Sequence, residues 1–228
     1  MTTKRRRPTV RAQRAQDVSR LLLEQNGERP WFKRAEPMDE LIYTVLSQHT
    51  SDLNTDRTFA DLRAAFPTWQ DVVDAPTEVV QEVIKGGGLS KIKAPRIQAI
   101  LNEIHRQRGE FSIDFLAEMP FDEARKWLLS LPGVGEKTAA CVLLFSLGRP
   151  ALPVDTHVHR VSGRLSLIPK KMNADKAHYQ LESYLDESQV YQFHVDLIEH
   201  GRRVCHARRP NCAGCVLSEL CPSSTEKG

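Results

Sequence analysis

Leu131-Pro132-Gly133-Val134-Gly135-Glu136-Lys137-Thr138-Ala139-Ala140 decides the reading of this chain. An apolar stripe at Phe121, Ala124, Leu128 and Leu129 predicts a helix that Pro132 ends. Gly133 and Gly135 permit a tight hairpin, and a second helix begins near Glu136, where Ala139 and Ala140 let two helices approach closely. Glycines at a helix start also let backbone N–H groups reach a phosphate oxygen. The plain alternative is a helical hairpin with no ligand. Lys137 argues against it, because a cation in the first turn opposes the helix dipole at a cost of a few tenths of a kcal/mol. The same field favours the neutral amine, the nucleophilic form, while adjacent Glu136 works the other way.

Outward from this stretch the periodicity is helical almost throughout. Leu41, Ile42, Val45 and Leu46 mark one helix, and Ile97, Ile100, Leu101 and Ile104 a longer one. Residues 136–147 are apolar nearly all round, which predicts a buried central helix. A last stripe at Val190, Phe193, Leu197 and Ile198 is expected to stop at Gly201. Only Phe111-Ser112-Ile113-Asp114-Phe115 alternates as a strand would, and a lone strand has nothing to pair with. The expected class is all-α.

Composition bounds the function. With 40% hydrophobic and 27% charged residues, the 228-residue chain can bury a sizeable core. No apolar run approaches the ~20 residues of a membrane span, and no apolar stretch follows the basic start, so a soluble cytoplasmic protein is expected, without membrane contact. Residues 1–20 carry a balance of +6, including Lys4, Arg5, Arg6 and Arg7, and the remainder is −3. A nucleic-acid partner therefore has to be argued from local placement, with the basic start read as a solvated tail able to hold a polyanion loosely.

Two further constellations carry chemistry. Gly148-Arg149-Pro150-Ala151-Leu152-Pro153-Val154-Asp155 is a stiff loop ending at Asp155, which by itself reads as a helix N-cap. Coming eighteen residues after Lys137, it also reads as a carboxylate partner for an amine nucleophile. Near the C-terminus, Cys205-x6-Cys212-x2-Cys215-x5-Cys221 is a tetrad that a reducing compartment turns into a metal site rather than a disulfide frame; Cys141 reads as a small buried hydrophobe.

Together the hairpin, Val154-Asp155-Thr156-His157 and the 6-2-5 cysteine spacing resemble the endonuclease III branch of the helix-hairpin-helix DNA glycosylases, over roughly residues 35–221. The resemblance implies that Lys137 attacks the sugar C1′ of a damaged nucleotide and that Asp155 assists and stabilises the positive charge on the sugar. It implies that Cys205, Cys212, Cys215 and Cys221 hold a [4Fe–4S] cluster; zinc, the rival, usually pairs two short knuckles where this tetrad has one. Arg208 and Arg209 become phosphate contacts. Gln48 or His49 fills the gap left by an extruded base, and the familiar pattern puts glutamine where His49 stands. Leu89 becomes an apolar wedge. The adenine glycosylases of the same lineage lack the lysine and continue into a further domain, whereas this chain ends seven residues after Cys221.

The expected architecture is a basic tail (1–15), a helical domain (37–150), an iron–sulfur domain (16–36 with 151–222) and a short tail (223–228), with Lys137 and Asp155 facing each other across a DNA-binding cleft. The expected activity is a monomeric, bifunctional glycosylase and AP lyase on duplex DNA carrying an oxidised pyrimidine or an abasic site. A mismatch uracil or thymine glycosylase is the enzyme alternative, and a non-catalytic DNA-binding iron–sulfur protein the alternative of another class.

Overall fold

The fold is that of a computed structural model describing residues 9–225; the basic run Lys4–Arg7 and the last three residues lie outside the described residues. Eleven α-helices and no strand occur among the described residues. In order they are α1 (Val10–Asn26), α2 (Pro37–Leu46), α3 (Asp52–Ala65), α4 (Trp69–Asp74), α5 (Thr77–Val83), α6 (Ser90–Arg108), α7 (Phe121–Leu129), α8 (Glu136–Cys141), α9 (Thr156–Arg164), α10 (Ala174–Glu182) and α11 (Val190–Arg203). None of them is long and apolar enough to cross a membrane.

The chain divides into two compact units. One runs Lys33–Arg149 and holds α2 to α8; the other joins α1 to the segment from Pro150 onward. In the first unit the apolar stripes of α2 and α6 are fully buried, with α8 beside them. The unit starts earlier than residue 37 because Arg34 is drawn in. Its N–H donates to Phe145 O at 2.9 Å, its guanidinium lies 4.0 Å over the Phe145 ring, and it pairs with the buried Glu40. The helix after the hairpin is α-helical only to Cys141, and Val142–Ser146 then forms a π turn in which Leu147 N–H reaches back to Val142 O. An unbroken apolar run carries no phase from which such a change of winding can be read.

Two further expectations are corrected. Residues 10–15, expected as tail, belong to α1, because Thr9 Oγ1 accepts from Ala12 N–H and starts the helix there. The alternating 111–115 stretch forms no strand, in keeping with the all-α expectation: Phe111 stacks on His105, and Asp114–Ala117 is a short 3₁₀ helix. Gly201 does not end α11, which runs on to Arg203. Its glycine answers to a close approach instead, since a Cβ there would lie 3.0 Å from His157 Cβ on α9.

Gly163, on α9 itself, has nothing within 4 Å of where a Cβ would stand. The two glycines therefore predict opposite signs. Gly163→Ala should stabilise by ~0.5 kcal/mol through helix propensity, and Gly201→Ala should destabilise by ~1–2 kcal/mol through overpacking. Urea denaturation of the two variants checks this; stabilisation by both would show that the α9–α11 approach does not demand glycine.

Candidate functional site

The hairpin is built as its sequence dictates. Ser130 closes α7, Val134 N–H bonds Leu131 O at 3.2 Å, and Gly133 takes φ +72°, a left-handed value that favours glycine. A Cβ at Gly133 would also sit 2.5 Å from Arg96 Nε. Gly135 is the N-cap of α8, with nothing within 4 Å of where a Cβ would be, so its backbone is open to an approaching group. Thr138, Ala139 and Ala140 are buried, whereas Lys137 is exposed. The amine stands just outside the core.

Asp155 lies in the other unit. The loop that delivers it is anchored by Ala151 and Leu152, both fully buried. Helix α10 grips Leu152 from both sides: its N–H donates to Glu182 Oε1 at 2.7 Å, and its carbonyl lies 2.7 Å from His178 Nδ1. Asp155 caps α9, Oδ1 accepting from Val158 N–H at 2.7 Å. The cap expected from sequence is real, and it holds one carboxylate oxygen.

Gln48 and His49, expected as alternatives for one role, are held differently. Gln48 is half-buried and its Oε1 accepts from Arg96 Nη1 at 3.0 Å; His49 is exposed with φ +56°. Leu89, the expected wedge, has φ +52° and is 49% exposed. Among the described residues four non-glycines adopt positive φ: His49, Leu89, Ser166 and Arg209. Three of them are candidate DNA contacts. Left-handed backbone at such residues is strained, and strain of this kind gathers at functional loops.

The four cysteines line one recess of about 400 Å³, part of it open to solvent, together with Leu217, Val161 and His200. Among the described residues no three His, Cys, Asp or Glu side chains are grouped to hold a single metal ion. Four thiols around one recess suit a [4Fe–4S] cluster, each of whose four irons would take one thiolate. Burial raises the Cys215 thiol pKa and lowers that of His200 to about 4; His200 Nε2 lies 3.6 Å from Cys215 Sγ. Arg208 and Arg209 are exposed on the first loop of the tetrad.

Sequence reading missed the residues that brace these loops. Arg164 Nη1 donates to Cys205 Sγ at 3.2 Å and His206 O at 2.7 Å, and Nη2 to Ala207 O at 2.9 Å. Its own carbonyl accepts from Ser223 Oγ at 3.0 Å, so one residue ties both ends of the cysteine segment. Lys93 is a buried lysine four residues before Ile97 on the apolar stripe of α6, and that position was the available signal. The cluster fit carries a direct check: the purified chain should be brown and hold four irons and four acid-labile sulfides. Stoichiometric zinc without visible absorption would contradict it.

Comparison with known proteins gives the family of the chain. Residues 42–187 match the family model of the HhH-GPD superfamily base excision DNA repair protein, and residues 205–221 that of the iron-sulfur binding domain of endonuclease III. Endonuclease III of Thermotoga maritima is 36% identical over 196 residues, covering 86% of this chain and 87% of that one. A relative from Arabidopsis thaliana that carries a DNA glycosylase name is 34% identical over 176 residues; these cover 77% of this chain but only 60% of that longer protein. Among solved structures, a non-covalent endonuclease III–DNA complex superposes with a TM-score of 0.80 at 27% identity, covering 99% of this chain and 98% of that one. On these grounds the chain belongs to the HhH-GPD superfamily of base excision DNA repair proteins, in its iron–sulfur-bearing endonuclease III family.

Proposed function

We propose that this chain is a bifunctional DNA glycosylase and AP lyase that acts as a monomer on duplex DNA, removing oxidised pyrimidines and cutting the strand at the resulting abasic site. The observation that carries the reading is Lys137: an exposed amine on the first turn of α8, one residue outside the buried core, in a hairpin whose glycine backbone is open. A glycosylase that uses water has no need of an amine there.

The chemistry follows from the two side chains. The neutral amine of Lys137 attacks C1′ of the extruded nucleotide, the C1′–N bond breaks, and the base leaves with the electron pair. Positive charge grows on the sugar as that bond weakens, and the carboxylate of Asp155, with Oδ1 held by the cap, stabilises it electrostatically. The amine gives up a proton to the ring oxygen O4′ as the C1′–O4′ bond opens, which leaves an iminium; this acidifies the C2′ proton, whose removal expels the 3′-phosphate by β-elimination, and hydrolysis of the imine returns the lysine. Cys205, Cys212, Cys215 and Cys221 would hold the [4Fe–4S] cluster, which would cross-link the 205–221 segment and so brace the loop that carries Arg208 and Arg209. The bond-breaking steps belong to Lys137 and Asp155.

The remaining roles are assigned on the same reading. His49, exposed and left-handed, fills the gap left by the extruded base, while Gln48 is engaged by Arg96. Leu89 enters the stack as a wedge. Gly133 and Gly135 let backbone N–H groups meet one phosphate, and Arg208 and Arg209 meet others without reading the base.

The test is incubation with duplexes carrying one oxidised pyrimidine, one uracil opposite guanine or one thymine opposite guanine, followed without alkali or heat. Strand scission at the oxidised pyrimidine is expected, with Asp155→Asn lowering the single-turnover rate by ~10²–10³ and Lys137→Gln abolishing scission. Intact abasic sites as the only product would remove the lyase, and preference for the mismatches would replace the lesion class.

A further inference from the structure

We infer that α6 carries two positioning residues, Lys93 and Arg96, which lock the gap-filling loop, the wedge loop and the hairpin into one inserting unit. The inference rests on the glycosylase reading above and adds to it how the inserting side chains are held.

Lys93 is 1% exposed, and its ammonium donates to Leu46 O at 2.6 Å and Gly87 O at 2.8 Å. Leu46 is the last residue of α2, and Gly87 the last of the 3₁₀ turn Lys85–Gly87. Their carbonyls are among those that a helix end leaves without an internal partner, at the end where the dipole favours a cation. One buried charge thus closes two C-termini at once. Burial lowers the lysine pKa, the cost of placing it there. From each bonded carbonyl the chain leads within two or three residues to an exposed side chain at positive φ: His49 after Leu46, and Leu89 after Gly87.

Two more contacts complete the lock. A Cβ on Gly87 would lie 2.9 Å from Thr58 Oγ1, so α3 clamps the wedge turn from its other side. Arg96, on the turn after Lys93, donates to Gln48 Oε1, and its stem crosses Gly133, where a Cβ would meet its Cδ at 2.7 Å. Helix α6 therefore touches all three elements through two neighbouring cations. Neither of these bonds needs DNA. The spacing of His49 and Leu89 is set in advance, so binding has less loop entropy to remove and extrusion of the base is what gains.

The experiment uses the full chain with its cluster. Arg96→Met keeps the stem over Gly133 and removes the bond to Gln48; Arg96→Lys restores a donor; Lys93→Met tests the buried charge. Four readouts are compared: thermal stability, base extrusion by 2-aminopurine fluorescence beside an oxidised pyrimidine, single-turnover excision from duplex, and borohydride trapping on single-stranded DNA with an abasic site, which needs no extrusion. For Arg96→Met we expect extrusion and duplex excision to slow together by about tenfold, with melting temperature and single-strand trapping near wild type and recovery in Arg96→Lys. Lys93→Met should slow extrusion more, and if it fails to fold the Arg96 pair decides alone. Wild-type extrusion in Arg96→Met, or equal losses on duplex and single-stranded DNA, overturns the inference. A wild-type chain that excises nothing overturns the glycosylase reading instead.

Discussion

Nine consecutive residues, Thr138 to Ser146, are buried without a break, and the first unit is built around them. Such a run has no polar face to offer water, so it has to be enclosed on all sides, and the packing of α2 and the stacking of Arg34 on Phe145 are parts of that enclosure. The core boundary falls between Lys137 and Thr138. An amine at that boundary is fixed by the rigid element behind it yet open to a substrate in front, which is the arrangement a nucleophile needs. The hairpin glycines let the chain turn into this helix with no side chain crowding the approach.

The two units solve a common problem in a common way. Each must hold a loop in a shape that its residues do not favour: His49 and Leu89 in the first, Arg209 in the second, all at positive φ. In each unit, long cations bonded to backbone carbonyls supply the restraint. Lys93 does this on α6, helped by Arg96 through the Gln48 side chain; in the other unit Arg164 binds the carbonyls of His206 and Ala207, and Arg160 that of Cys205. A loop tied by its carbonyls keeps its exposed side chains available for a partner. Carbonyls at loop and helix ends want donors in any case, so the restraint comes with polar satisfaction rather than against it.

The sequence made the helices legible wherever apolar residues kept a 3.6 period, as in α2, α6 and α7, and it made the hairpin and the cysteine tetrad legible because each needs rare residues at fixed spacing. It failed where one residue type serves two purposes. Gly201 reads as a helix stop, but it is glycine because His157 lies against it. The start of α1 was hidden by its arginines, which look like tail until Thr9 is seen as a cap. The π turn was unreadable because Val142–Ser146 is buried on every side. Lys93 shows in the sequence only as a lysine on the apolar stripe of α6, and Arg96 not at all, since their partners are backbone carbonyls and a glutamine distant in sequence, and periodicity reports only which face a residue occupies.

The central claim is that Lys137 forms a covalent imine with the sugar. The direct measurement is borohydride reduction of the chain on a duplex abasic site, followed by digestion and mass spectrometry of the cross-linked peptide. The account predicts a sugar-derived mass on Lys137 alone and no adduct in Lys137→Gln. An adduct on the N-terminal amine or on another lysine, or undiminished cross-linking in Lys137→Gln, would contradict it.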